Sequence, residues 1–378
     1  MAQTPLFCPN KECPNHHTPT AKRWYRPFGF YSTKAHGIIA RYACRQCRKS
    51  FSQQTFRLSY YLHLTISFKD LFLRLCACSG IRALARSYGV SDKVITNRIG
   101  RLARQSMGMM AKVREIQHFG EALVADGFES FIHSQYSPNN IHQLIGKDSQ
   151  YVYACDLAHL RRKGRMSDRQ KRMRQRLERS DMGMAAELPA SFGRVCSLIH
   201  ELARKCAPLE LHTDEKREYQ TVIASSGLLE CGLKHLTTPS RQARTYRNPL
   251  WAVNYYDREL RKDQANHVRQ TTRWSREANN CMERMYMYAG YHNFFKPFRI
   301  KHPDKRTHAE VAGTPATAIR ALLRTFFTKR YFFSRISLSA SEWQVWLRAY
   351  RTPFRPGFQI LPAYVTGQPR LWPKAQAA

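Results

Sequence analysis

A chain of 378 residues, 43% of them hydrophobic, has room for two or three domains with real cores. Against 27 Asp and Glu stand 62 Lys and Arg, a formal net charge of +35 that recurs in every third of the sequence, so the partner should be a polyanion, nucleic acid ahead of a membrane surface. No run approaches the roughly 20 apolar residues of a membrane span, and the opening MAQTPLFCPN lacks the basic-then-apolar order of a signal peptide, so a cytoplasmic, nucleoid-associated protein is expected.

The first predicted unit carries two cysteine pairs. FCPNKECPNHHTP holds Cys8 and Cys13, and RYACRQCRKSFS holds Cys44 and Cys47. Paired cysteines on two knuckles can surround one tetrahedral Zn²⁺ with four thiolates. The Cys8–Cys13 gap is wide, so His16 or His17 could replace a ligand. Between the pairs, KRWYRPFGFYSTKAHGIIARY alternates aromatic and polar residues as the strands of a zinc ribbon do. The other seven cysteines are scattered singly and read as buried thiols.

From Ser67 to Arg104 the apolar spacing becomes helical. IRALARSYGVSDKVITNRIGRLAR offers an alanine-rich helix, a turn at Gly89, the N-cap candidate Ser91, and a second helix with Val94, Ile95, Ile99 and Leu102 on one face. This is a helix-turn-helix pattern whose second helix would present Lys93, Thr96, Asn97, Arg98 and Arg101 to a DNA groove.

Near Gly120 the character changes again. EALVADGFESFIHS, QYVYACDL and LELHTD read as strands and SFGRVCSLIHELARKCAP as an amphipathic helix, a mixture that fits an α/β sheet. Among them, Arg161 to Asp181 packs ten Lys or Arg against three acids, either a solvated helix or disordered insertion, or an arm that touches phosphates. Asp126 is expected at the C-terminal end of its strand and Asp214 at the end of another. Two such acids on adjacent strands can share divalent cations for an in-line phosphoryl transfer, and oxygen-only ligation favours Mg²⁺ or Mn²⁺. A third acid should come from a later helix. Asp257, with Arg261 one turn on, is preferred because it lies closer along the chain to Asp214; Glu283 is the alternative.

In this order the cysteine knuckle, the helix-turn-helix, ADGFESF, LHTDE and a helix with Asn254 and Arg261 resemble the insertion-sequence transposases of the DDE superfamily, over roughly residues 1–300. The resemblance implies an RNase H-like catalytic domain, a two-metal site, binding to terminal inverted repeats of double-stranded DNA, cleavage at element ends and transfer of a 3′-hydroxyl into target DNA by a dimer or higher oligomer. Asp126 matches the first acid and Asp214 the second. In similar transposases a glutamate begins the third helix and a basic residue follows seven positions later; Arg261 fits the basic position, but Asn254 stands where the glutamate would be, leaving Asp257 or Glu283 to serve.

The expected fold class is therefore multidomain: a zinc-ribbon-like unit over 1–58, an all-α helix-turn-helix over 59–112, an RNase H-like α/β domain over 118–300 with its basic insertion at 159–182, and a helical, basic extension over 301–378. The large apolar residues of that extension read as packing surface more than as DNA-stacking surface, and His292 and Asn293 as core or helix-capping residues. Two other functions compete: a site-specific DNA-binding regulator with an inactive transposase-like domain, and a nucleic-acid packaging protein favoured by charge alone.

Overall fold

The computed structural model describes residues 6–19, 23–180, 187–206, 208–268, 271–299 and 304–354. Asp181, residues 301–303 and the tail 355–378 of the expected extension lie outside the described residues.

The chain opens with a three-stranded antiparallel sheet, β1 (Tyr25–Thr33), β2 (Gly37–Cys44) and β3 (Ser50–Ser52), in that spatial order. Its small core joins Cys8, Cys13, Trp24, Tyr42, Cys44 and Phe51, with the Trp24 and Phe51 rings stacked at 5.6 Å. Three helices follow: α1 (Phe68–Cys76), whose first turn is capped by the Ser67 hydroxyl, α2 (Ile81–Ser87) and α3 (Asp92–Ile116). Ser91 occupies the N-cap of α3 without a side-chain cap bond. The second helix of the expected pair runs on past Arg104 to Ile116, burying Met107, Met109, Met110 and Val113.

The larger sheet contains β4 (Leu123–Phe131), β5 (Pro138–Gly146) and β6 (Val152–His159) as an antiparallel meander. Next come the basic helix α4 (Asp168–Ser180), then α5 (Glu187–Ala203), β7 (Glu210–Asp214), α6 (Arg217–Ser225) and β8 (Lys234–Thr238). β7 is parallel to β4 and β8 to β7, which gives the order β6-β5-β4-β7-β8. β4 thus has an antiparallel neighbour on one side and a parallel one on the other, the kind of switch point beside which α/β sheets build their sites.

Side chains alternate across this sheet and meet helices on both faces. His142 on β5 and Asp156 on β6 face α5 and α6: His142 meets Phe192 and Tyr219, and Asp156 accepts from Ser191 and, through both oxygens, from Arg194. Phe128 on β4 faces the opposite side, under the guanidinium of Arg261 on α7 (Trp251–Asp263). The outer edge of β6 is closed by α8 (Ala278–Phe294). The Tyr286 hydroxyl donates to the Cys155 carbonyl at 3.0 Å, and the Asn293 amide bonds the Val152 N–H and C=O, each at 2.9 Å. An edge strand needs such a cover, so Asn293 serves as a cap for the sheet; His292 is buried in a ring stack with His308.

α3 packs along α8, and the approach is close enough that a Cβ on Gly290 would stand 2.2 Å from the Ser106 hydroxyl. The chain closes with α9 (His308–Val311), α10 (Ala316–Leu323) and α11 (Ala340–Trp346), which contribute Ile319, Val345 and Trp346 to the core, so the expected packing role describes these helices. The main core is continuous from Leu58 to Tyr350 and separate from the small N-terminal cluster. Phe7 and Phe56 of the N-terminal unit nevertheless meet Phe332, at 4.9 and 5.7 Å, and the three helices and the sheet share one interior.

Candidate functional site

Asp126 does not end its strand. β4 continues to Phe131 because β5 pairs with it along its whole length, from Leu123 opposite Gly146 to Phe131 opposite Pro138. What stops near Asp126 is the parallel pairing with β7, and its register, Val124 beside His212, extended by two residues brings Asp126 level with Asp214 at the end of β7. Asp126 thus stands where two neighbouring strands diverge, with half of its surroundings open.

Local bonds fix both side chains. Asp126 Oδ1 accepts from the Gly127 N–H at 2.7 Å, and Asp214 Oδ1 accepts from the Lys216 N–H at 3.1 Å. Residue 127 must be glycine, since a Cβ there would lie 2.0 Å from Asn140 Oδ1 on β5. Asp257 reaches the same place from α7, on the face that carries Arg261. All three aspartates are half-buried.

The electrostatics couple the acids in two pairs, Asp126 with Asp214 and Asp257 with Asp126. Burial pushes Asp126 up to about 6, helped by the charge of Asp214 and opposed by the Gly127 N–H, Arg244 and Lys216. Burial pushes Asp257 up to about 7, helped by the charge of Asp126 and opposed by Arg261, the Gln143 amide and Arg244. Asp257 Oδ1 is buried without a hydrogen-bond partner. Carboxylates that repel one another and leave an oxygen unmatched are stabilised by a hard cation, so the donor set fits Mg²⁺ or Mn²⁺. The trio is open rather than collapsed: among the described residues, no three carboxylates gather within 4.8 Å of one another.

Glu283 does not join this cluster. It is 1% exposed, and its oxygens pair with Arg104 of α3 at 3.2 Å and Arg348 at 2.7 Å. Its place on α8 commits it to the helix interface. Sequence reasoning missed Gln143, Lys216, Arg244 and Tyr219, whose charges or bonds bear on the acids, and Asn140, which stands against Gly127. The signal for two of them was present in β5: PNNIHQLIG sets Asn, His and Gln among isoleucines in a central strand, where a polar group is costly unless a site needs it.

The four paired cysteines do meet. Their sulfurs lie within 4.8 Å of one another, with Cys8 to Cys47 at 3.5 Å and Cys13 to Cys44 at 3.7 Å. A tetrahedron of about 2.3 Å Zn–S bonds has edges of about 3.8 Å, so the four thiols fit a single metal of that kind. His16 is not a ligand, because its ring nitrogens are engaged by the Cys8 carbonyl at 2.6 Å and the Ser334 hydroxyl at 2.7 Å. No place in the sulfur cluster is left for His17 to fill.

At the start of α3, Lys93 and Asn97 are exposed and Thr96 is half-buried. Arg98 and Arg101 are not available to DNA. Arg98 is 2% exposed and donates to the Leu64 carbonyl at 2.7 Å; Arg101 is 3% exposed and donates to the Leu58 carbonyl at 2.6 Å. Both strap the connector between ribbon and α1 onto α3. The basic segment forms the exposed helix α4, with Arg172, Arg176 and Arg179 along one side.

No protein-family model matches the chain, and no curated protein matches it. Among solved structures, one match is the cryo-EM structure of a simian T-cell lymphotropic virus intasome in complex with the PP2A regulatory subunit B56 gamma. The identity is 13%, over 63% of this chain and 72% of that chain, with a TM-score of 0.27, a likeness too distant to bear on activity. Among the described residues no helix is long and apolar enough to cross a membrane.

Proposed function

We propose that this chain is a DDE-type transposase of an insertion sequence, which binds the terminal inverted repeats of double-stranded DNA, cuts at the element ends and transfers a 3′-hydroxyl into target DNA. What supports the reading is that Asp126 stands level with Asp214 beside the switch point of a sheet ordered β6-β5-β4-β7-β8 and acts by charge on Asp257. That order, an antiparallel meander followed by two parallel strands, is the one an RNase H-like domain would have. The net charge of +35 supports a DNA substrate.

Asp126, Asp214 and Asp257 would hold Mg²⁺ or Mn²⁺, whose chemistry is to activate a water or 3′-hydroxyl and to stabilise the leaving oxygen. The chain's own contribution is positional. Asp126 feels the charge of Asp214 and acts in turn on Asp257, so it is the natural shared ligand. Lys216, Arg244 and Arg261 bring positive charge beside the acids, where the scissile phosphate would sit. Cys8, Cys13, Cys44 and Cys47 would hold a structural Zn²⁺ that fixes the ribbon. Lys93, Thr96 and Asn97 would read a groove, with α4 touching phosphates. Two or more copies would hold two DNA ends at once, on nucleoid DNA in the cytoplasm.

A second reading is a DNA-binding regulator with an inactive catalytic domain, favoured by Asn254 at the helix position where similar transposases carry glutamate. Incubating a supercoiled plasmid that carries the gene and its flanks with Mg²⁺ or Mn²⁺ separates the two. Cuts at defined flanking positions that vanish with Asp214→Asn support the transposase; specific binding without metal-dependent cutting supports the regulator.

A further inference from the structure

Between the β1–β2 hairpin, the connector that follows β3 and residues 330–334 lies a cleft of about 1100 Å³. Small-molecule pockets run from about 300 to 1,000 Å³, so this one is large for a metabolite and open enough for a polymer to lie across. Lys34, Arg41 and Arg330 bring positive charge to it. Among its described lining residues the sole carboxylate is Glu12, which faces Lys11 at 3.5 Å.

Three observations mark a built site. First, the cleft presents ring faces: Tyr61 is 68% exposed and Tyr31 37% exposed, the latter steadied by its hydroxyl donating to Ser52 Oγ at 3.1 Å. Secondly, Tyr61 has a left-handed backbone, φ 59°, a conformation that costs a bulky residue energy, and its ring leans on Tyr60 at 4.3 Å while staying 68% exposed. Thirdly, Gln54 lines the cleft while only 5% exposed; its Oε1 accepts from the Ser59 hydroxyl, and its Nε2 has no hydrogen-bond partner. A buried amide donor left unmatched is expensive unless a bound group completes it.

We infer that this cleft takes an unpaired nucleotide of a DNA strand. The base leaves the duplex stack, lies against Tyr61 and Tyr31, and offers one of its carbonyl or ring-nitrogen acceptors to the Gln54 N–H. The flanking phosphates face Lys34 and Arg41. Duplex DNA cannot satisfy this arrangement, because its bases present no free faces to a ring and its edges do not reach a donor at the floor of a cleft. The cations call for a nucleic-acid strand; the choice of DNA over RNA rests on the transposase reading.

The test uses the full, zinc-loaded chain carrying Asp214→Asn, so that the probes are not cut, and fluorescence anisotropy at physiological salt. The probes are a labelled single strand of about 12 nucleotides, the matching duplex and the matching RNA. Tyr61→Ala should weaken the DNA single strand about tenfold or more, Tyr61→Phe should stay within about twofold, and Gln54→Leu should weaken the single strand while duplex affinity stays put. Circular dichroism and zinc content check that each variant is folded. A 5-iododeoxyuridine single strand photocrosslinked to the Asp214→Asn chain should map to Tyr31 or Tyr61, a readout independent of the groove variants. Equal losses on single strand and duplex, RNA bound as tightly as DNA, or crosslinks mapping elsewhere would overturn the assignment. A wild-type chain that cuts no DNA yet passes these tests removes the strand-transfer reading and leaves the cleft; a chain that cuts but fails them removes the cleft alone.

Discussion

Asp126 and Asp257 are held above the ordinary carboxylate range, at about 6 and about 7. Aspartates of the unfolded chain titrate near 3.9, so between about pH 4 and 7 the folded chain binds protons that the unfolded chain does not. The stability this site contributes is therefore present at low pH and lost as pH rises through the folded values. Without divalent ions, Asp257→Asn should melt above wild type at about pH 8, with the gap closing by about pH 5, a comparison that Tm against pH reads directly. Adding Mg²⁺ should raise the wild type and leave the variant nearly unmoved. Glu283→Gln should behave oppositely. It takes one carboxylate from the buried Arg104 and one from the half-buried Arg348, which keeps Glu277 at 3.2 Å, so a loss of about 3 kcal/mol in stability is expected, while the folded fraction cuts DNA as wild type does. A dead but stable Glu283→Gln variant would contradict that assignment. In the sequence, strand-end position is what marks Asp214, and distance along the chain is what puts Asp257 ahead of Glu283. The commitment of Glu283 was hidden, because its partners stand 179 positions back on α3 and in the segment after α11.

Helix α3 shows what periodicity conveys and what it omits. The apolar stripe Ile95, Ile99 and Leu102 was legible, and so was the turn before it. That Arg98 and Arg101 point inward was not, since an arginine on a basic chain looks solvated until a free carbonyl is found for it. The two kinds of residue should separate by experiment: Lys93→Ala should lower duplex affinity and reduce the salt slope by about one, whereas Arg98→Ala should lower Tm and leave that slope alone. The ribbon was the most readable element, because metal chemistry restricts cysteine spacing more tightly than packing restricts anything else. Only its histidine alternative failed, for His16 docks the knuckle onto Ser334 near the far end of the chain. Cys44→Ser should release zinc by elemental analysis and weaken specific DNA binding, with the pH behaviour of the distant aspartates unchanged. Strand β5 escaped notice because its buried asparagines, histidine and glutamine break the apolar pattern by which strands are recognised.

At the scale of the molecule, composition pointed to a polyanion and module order to an α/β sheet behind helices, but neither disclosed that helices and sheet would share one core. That continuity is tertiary: it depends on the close approach at Ser106 and Gly290 and on the Arg104–Glu283 pair, contacts between residues far apart in sequence. It also turns α3 into a calliper. Its 25 residues, at about 1.5 Å each, make a rod about 37 Å long that is exposed at Lys93 and enters the shared interior from Ile95 onward. One jaw is the surface that would grip a base sequence, the other the body that carries the aspartates, and one unbroken helix, Asp92–Ile116, joins them. If the chain cuts DNA, the recognised sequence and the scissile bond must then keep a fixed helical phase. Inserting about five base pairs between them should turn the bond to the wrong side of the duplex and abolish cutting, and inserting about ten should bring part of it back.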